Sequence, residues 1–67
     1  MKTFTNTDHI RLLRAAQHPK ATPEEADFLG YMAGLAAAFE PVSNGDYTQA
    51  SILAAINLHD KDSVFDR

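Results

Sequence analysis

The feature that most constrains this chain is a nearly uninterrupted apolar segment that ends at Phe39 and is enclosed by helix start and stop signals. Thr22 is a favourable N-cap, Pro23 suits the first helical position, and Glu25 can complete a capping box. Pro41 lacks an amide hydrogen and disfavours helix in the residue before it, so the helix is predicted to stop near Phe39. The segment from Phe28 to Phe39 carries no charge, and a helix this apolar must be buried on nearly every side.

The size and composition of the chain restrict what can bury that helix. With 67 residues it is predicted to form one small domain, and it has no cysteine for a disulfide or a thiolate zinc site. No uncharged run approaches the roughly 20 residues that cross a bilayer, and the N-terminus lacks the apolar core of a signal peptide. These observations predict a soluble, cytoplasmic protein without a membrane partner.

The formal charge of −3 is distributed unevenly. Residues 1–20 contain four basic side chains and one acidic side chain, for a balance of +3. Residues 21–67 contain two basic and eight acidic side chains, for a balance of −6. Phosphates would repel the acidic part, so nucleic-acid binding is predicted to be restricted to the first helix, if it occurs.

Capping and turn signals predict an all-α fold of three helices, arranged as a bundle or as a hairpin plus one helix. The predicted helices are 8–17, 23–39 and 47–59, followed by a tail over 60–67. Two cap registers compete at the first helix, one pairing Thr5 with Asp8 and one beginning at Thr7. Segment 44–46, Asn-Gly-Asp, indicates a turn, and Asp46 with Gln49 forms a capping-box pattern. The sequence has no sustained alternation of apolar and polar residues, so no strand is predicted.

Helical periodicity predicts more apolar surface than one copy can cover. The first helix has an apolar arc formed by Ile10, Leu12, Leu13 and Ala16. The second helix has a stripe of large side chains that ends at Phe39 and a neighbouring stripe of small ones, and small residues permit close helix contact. The third helix is also apolar on two sides, one with Ile52, Leu53 and Ile56 and the other with Tyr47, Ala54 and Leu58. The core is therefore predicted to be completed by homodimerisation, with an interface that includes Gly30, Ala33, Gly34, Ala37, Leu53 and Ile56.

Other residues are predicted to contact a second protein. One group is a basic row on the first helix, Arg11, Arg14 and His18, which can bind phosphates or an acidic surface. The other group consists of aromatic side chains, which often anchor interfaces: Tyr31, Tyr47 and Phe65. Phe4 is predicted instead to pin the N-terminus to the bundle.

No pattern for catalysis, metal binding or a cofactor is present. His9, His18 and His59 stand at no metal-ligand spacing, and His59 suits a helix C-terminus. The acidic group Glu24, Glu25 and Asp27 suits the first turn of a helix. No nucleophile motif or phosphate-binding loop occurs, so no enzyme activity is expected.

These expectations favour a small non-enzymatic protein–protein interaction module. Its size and composition are typical of phage and mobile-element accessory proteins that inhibit or redirect a larger host protein, or act as adaptors. One alternative is a dimeric nucleic-acid-binding regulator that uses the basic face of the first helix. Another is a subunit that folds only in complex with its partner.

Overall fold

The computed structural model of the protein describes residues 1–59, and the predicted tail with Phe65 lies outside that part. Three helices and two short strands follow one another along the described chain. They are β1 (Lys2–Thr3), α1 (Asn6–Ala16), α2 (Pro23–Ala37), β2 (Pro41–Val42) and α3 (Asn44–Leu58). The structure is mostly helical, which agrees with the predicted all-α class at that coarse level.

The two strands are a feature that the sequence did not predict. β1 and β2 pair antiparallel, with Lys2 opposite Val42 and Thr3 opposite Pro41. Expecting no strand was therefore wrong. Segments of two residues are too short for a detectable alternation, and their pairing depends on the helices that bring distant parts of the chain together.

The first two helices begin at capping boxes. At α1 the Thr5 hydroxyl accepts the Asp8 amide hydrogen at 3.2 Å, and the Asp8 carboxylate accepts the Thr5 amide hydrogen at 2.9 Å. Of the two competing registers, the structure has the earlier one, so α1 begins before the predicted residue 8. Thr22 and Glu25 form the predicted reciprocal pair at α2, with distances of 3.2 and 3.1 Å.

The start of α3 differs from the prediction. The helix begins at Asn44, because the Ser43 hydroxyl accepts the Asp46 amide hydrogen at 3.1 Å and caps it. Segment 44–46 is thus the first helical turn rather than a turn before the helix, and the predicted capping box from Asp46 to Gln49 was wrong. An N-cap serine and an acidic residue in the first turn both stabilise a helix start, which offsets the low propensity of Gly45.

The core lies where the three helices meet beneath the N-terminal strand. Its buried apolar members are Phe4, Leu12, Ala15, Leu29, Met32, Ala33, Ala36, Val42, Tyr47, Ala50 and Ala54. The Phe4 ring stacks on Tyr47 with 4.6 Å between the ring centroids, so the prediction that Phe4 pins the N-terminus is confirmed. His9 Nδ1 donates to the Ala33 carbonyl at 2.9 Å and joins α1 to α2.

The buried face of α1 agrees with the predicted arc at Leu12 and Ala16 but not at its other two residues. Ile10 and Leu13 are exposed, whereas Asp8, Leu12 and Ala15 are buried. Asp8 is held inward by its capping bonds to Thr5, and the residues four and seven positions later lie on the same side of the helix. With Asp8 facing inward at the cap, α1 is turned so that Ile10 and Leu13 face the solvent.

Candidate interaction surface

Large apolar side chains lie exposed on the outer faces of all three helices. On α1 they are Ile10 and Leu13, on α2 Tyr31, just beyond α2 Phe39, and on α3 Ile52 and Ile56. Isolated exposed apolar residues are ordinary on protein surfaces, whereas neighbouring ones on an uncharged surface are typical of interaction sites. The neighbours of each of the six residues therefore decide whether it belongs to a candidate interaction site.

The outer face of α3 carries two of these side chains on a stretch without charge. No charged residue occurs from Tyr47 to Leu58, and Ile52 and Ile56 are 43% and 59% exposed. A shallow depression of about 530 Å³ lies on this face. It is lined by Asn44, Gly45, Thr48, Gln49, Ile52 and Leu53. An uncharged helical face with a depression of this kind provides a site for an apolar side chain or a second helix.

The outer face of α2 carries the predicted small residues. Gly30, Gly34 and Ala37 are exposed, and a Cβ atom added at either glycine would have no neighbour within 4 Å. Ala33 lies on the other side of α2, where it is 2% exposed within the core. Gly30 and Gly34 therefore make no close helix contact within the described residues, whereas Ala33 packs inside the single copy. The part of the small residues in a dimer stays a prediction.

A left-handed residue lies directly after α2. The Phe39 amide donates to the Ala36 carbonyl at 3.1 Å, and the Glu40 amide donates to the Leu35 carbonyl at 2.9 Å. This is the Schellman pattern, in which the left-handed position is usually glycine. Here that position holds Phe39, with φ of 56° and a ring that is 57% exposed. The helix thus ends at Ala37, before the predicted Phe39, and presents an aromatic ring at its end.

The basic row predicted on α1 is not a uniform exposed stripe. Arg14 is exposed, while Arg11 is half-buried. His18 follows the helix, and its Nδ1 atom accepts the Lys20 amide hydrogen at 3.1 Å within the α1–α2 connection. The three side chains therefore differ in environment, and Arg14 is the most accessible of them. Their role in binding a partner stays a prediction.

The aromatic residues predicted as anchors fall into different places. Tyr31 is exposed on α2, whereas Tyr47 is 4% exposed and packs against Phe4. Lys2 Nζ lies 5.8 Å from the centroid of the Tyr47 ring. Tyr47 thus contributes to the core of the single chain, and Phe65 lies outside the described residues. Phe39, which sequence reasoning assigned to the buried stripe of α2, is the exposed aromatic residue that it missed.

The histidine and acidic side chains of residues 1–59 do not come together as a candidate metal site. No cluster of three or more His, Cys, Asp or Glu side chains is found in that part of the chain. The Lys20 ammonium contacts the His59 imidazole, and Glu25 is occupied by its capping bonds. Across the same described residues, no helix combines the length and the apolar character needed to span a bilayer.

Comparisons with protein-family models, curated proteins and solved structures gave no match for this chain. The exposed apolar side chains, and above all those on the outer face of α3, are therefore the features of the molecule that indicate a function.

Proposed function

We propose that this protein is a small non-enzymatic protein-binding module that forms a homodimer and inhibits, or acts as an adaptor for, a larger protein. The observation that carries the proposal is the outer face of α3, where Ile52 and Ile56 are exposed within a stretch, Tyr47 to Leu58, that carries no charge. Fully burying an exposed isoleucine gains about 1.5–3 kcal/mol. These two side chains are partly buried already, so covering the remainder gains a part of that and favours association.

The apolar residues outside α3 supply a second surface for the target. Phe39 and Tyr31 are the most exposed aromatic side chains of the described chain. Aromatic side chains provide much of the binding energy of protein interfaces because they bury a large area with few rotatable bonds. In the proposed dimer, α3 makes the contact between copies, and these two rings are available to the larger protein.

The environment of the basic row supports a protein target over a nucleic acid. Arg11 is half-buried, and His18 uses one ring nitrogen in the α1–α2 connection. A nucleic-acid interface gains its affinity from several accessible cations that displace counterions from phosphates. Arg14 alone of the three has the exposure that this mechanism requires. Regulation through nucleic-acid binding therefore remains the less supported alternative.

Self-association is tested first, by sedimentation equilibrium over a wide range of protein concentration and at two salt concentrations. We expect a reversible monomer–dimer equilibrium that salt changes little, because apolar contacts are not screened. Fluorescence anisotropy with labelled duplex DNA is measured in parallel. Monomeric protein at every concentration would refute the dimer, and tight DNA binding that falls steeply with salt would favour the regulator.

Target binding is tested by affinity capture from the native host with three forms of the protein. Asparagine tolerates the left-handed conformation at position 39, so Phe39→Asn with Tyr31→Ser removes both rings while retaining the backbone. A target should be retained by the wild type and by the exposed control Glu24→Ser, and lost with the double variant. Retention of the same protein by all three forms would contradict the assignment of these rings.

A further inference from the structure

We propose that the outer face of α3 pairs antiparallel with the same face of a second copy, so that each Ile56 packs over the other copy's Gly45. This inference deepens the proposed function and rests on the homodimer, to which it assigns a surface and a register. It commits the depression on α3 to one occupant, the C-terminal half of another α3.

The spacing along α3 defines the register. Gly45 and Ile56 lie about three helical turns apart on the same side of the helix, and both are exposed. A two-fold axis that crosses the exposed face of α3 midway between Gln49 and Ile52 brings each Gly45 opposite the Ile56 of the other copy. The same axis brings each Gln49 opposite the other copy's Ile52. In a two-fold dimer both copies use the same patch. The spacing of Gly45 and Ile56 therefore produces the same contact at both ends of the interface.

The shapes of the paired positions are complementary. Gly45 has no side chain, and a Cβ atom built there would have no neighbour within 4 Å, so space remains above it. Ile56 is the most exposed large side chain of α3, at 59%. Gly45, Thr48 and Gln49 form one end of the depression, while Ile56 projects from the opposite end of the helix. At each end of the contact, the Ile56 side chain of one copy thus packs into the space above Gly45 of the other copy.

The charge distribution permits this pairing. Each copy has a formal charge of −3, so an interface between copies is favourable only where their charges do not face each other. The one charge between Gly45 and Ile56 is Asp46, which lies about 100° around the helix from Gly45, to the side of the paired positions. From Tyr47 to Leu58 there is no charge that a second copy would repel. Antiparallel helices also place opposite ends of their dipoles side by side. The uncharged face is therefore suited to another copy of itself more than to a charged partner.

The size of the contact determines its expected strength. From Gly45 to Ile56 the helix is roughly 16 Å long, at a rise of 1.5 Å per residue. A pair of such faces belongs to the small class of interfaces, which bury less than about 1,200 Å² in total and are usually transient. We expect a dissociation constant on the order of 10–100 μM, so the measurement must extend above that concentration.

The first experiment uses two glycine substitutions that are matched in the monomer. Gly45→Leu and Gly34→Leu both add a side chain to an exposed helix, where nothing lies within 4 Å of the new Cβ atom. Circular dichroism should find both folded. In sedimentation equilibrium, Gly45→Leu should weaken association by about tenfold or more, because it fills the space for Ile56, and Gly34→Leu should leave it unchanged.

The opposite pattern, with Gly34→Leu disrupting and Gly45→Leu neutral, would overturn the α3 pairing and assign the dimer to the small-residue face of α2. A dimer that tolerates both substitutions would also overturn it. Neither result would refute the homodimer itself. Wild-type protein that stays monomeric throughout would refute the homodimer and this pairing together.

The second experiment tests the register with opposite charges. Ile56→Lys and Gly45→Glu should each associate about tenfold more weakly than the wild type when examined alone. In an equimolar mixture, the mixed dimer has one Lys–Glu contact and one native contact between Gly45 and Ile56. The mixture should therefore regain much of the lost association. A mixture that associates no better than either variant alone would overturn the antiparallel register.

Discussion

At the scale of single residues, glycine and left-handed backbone do not coincide in this chain. Within residues 1–59 the positive φ angles belong to Phe39 and His59, whereas none of the glycines has one. A side chain in the left-handed region costs roughly 1–2 kcal/mol. The Phe39 ring recovers little of that by burial, since more than half of it is exposed. A residue that costs stability and remains in solvent is a candidate for a role in binding.

Replacing Phe39 with glycine should therefore stabilise the protein. We expect Phe39→Gly to raise the free energy of unfolding by about 1 kcal/mol, as glycine removes the left-handed penalty at the end of α2. Urea denaturation followed by circular dichroism measures the change. Phe39→Asn is the matched control and should stabilise by a smaller amount. A clear loss of stability in both variants would mean that the ring packs against the domain, and would argue against its role as a target contact.

The capping box of α1 provides a prediction in the opposite direction. Asp8 is 3% exposed, and its carboxylate accepts the Thr5 amide hydrogen. Asp8→Ala should lower the free energy of unfolding by about 1–2 kcal/mol, through loss of that bond and of a negative charge at the helix start. The exposed neighbour Thr7→Ala is the control and should change little. Equal effects of the two substitutions in thermal denaturation would contradict the role assigned to Asp8.

At the scale of helices and strands, local signals were sufficient where a cap fixes an element. Thr22 and Glu25 specify the start of α2, and the structure has the reciprocal bonds that they predict. The orientation of α1 was not predictable in the same way, because Ile10 and Leu13 form as good an apolar arc as the buried Leu12. Which arc is buried depends on contacts with α2 and α3, and these join parts of the chain that are far apart in sequence.

The candidate surface was predictable to a similar extent. The two-sided character of α3 indicated that Ile52 and Ile56 lie opposite Tyr47, and the structure has them on different sides. The sequence did not indicate which side would be buried, and Tyr47 was consequently predicted to contact a partner. Its burial depends on stacking with Phe4, a contact across most of the chain for which no local pattern exists.

The outer face of α2 leads to a prediction about helix propensity. Gly34 lies in the helix interior, is exposed, and has no neighbour within 4 Å of an added Cβ atom. Gly34→Ala should raise the free energy of unfolding of the monomer by about 0.5–1 kcal/mol. The measurement is chemical denaturation at a protein concentration well below that of association. The control is Ala33→Gly, which removes a buried methyl group and should destabilise. A destabilised Gly34→Ala would show that this face is covered.

At the scale of the whole molecule, the fold depends on one contact that closes the chain upon itself. Phe4 is 1% exposed, stacks on Tyr47, and directly follows the strand that pairs with Pro41–Val42. It thereby joins the N-terminus to the start of α3 and to the segment between α2 and α3. For a domain of this length the free energy of unfolding is expected to be only about 3–10 kcal/mol, so a single large contact is a substantial part of the total.

Removing that ring should consequently affect every element together. Phe4→Ala is expected to cost about 3–5 kcal/mol, through lost burial and the cavity left beside Tyr47, and to leave a large part of the population unfolded. Thermal denaturation by circular dichroism and hydrogen exchange of the amides in all three helices measure the effect. Tyr31→Ala removes an exposed aromatic side chain and should leave both measurements close to wild type. If Phe4→Ala instead increased exchange only in the first few residues, the N-terminal strand would be an accessory to a bundle that is stable without it, and the core would have to be redefined around α1 and α2.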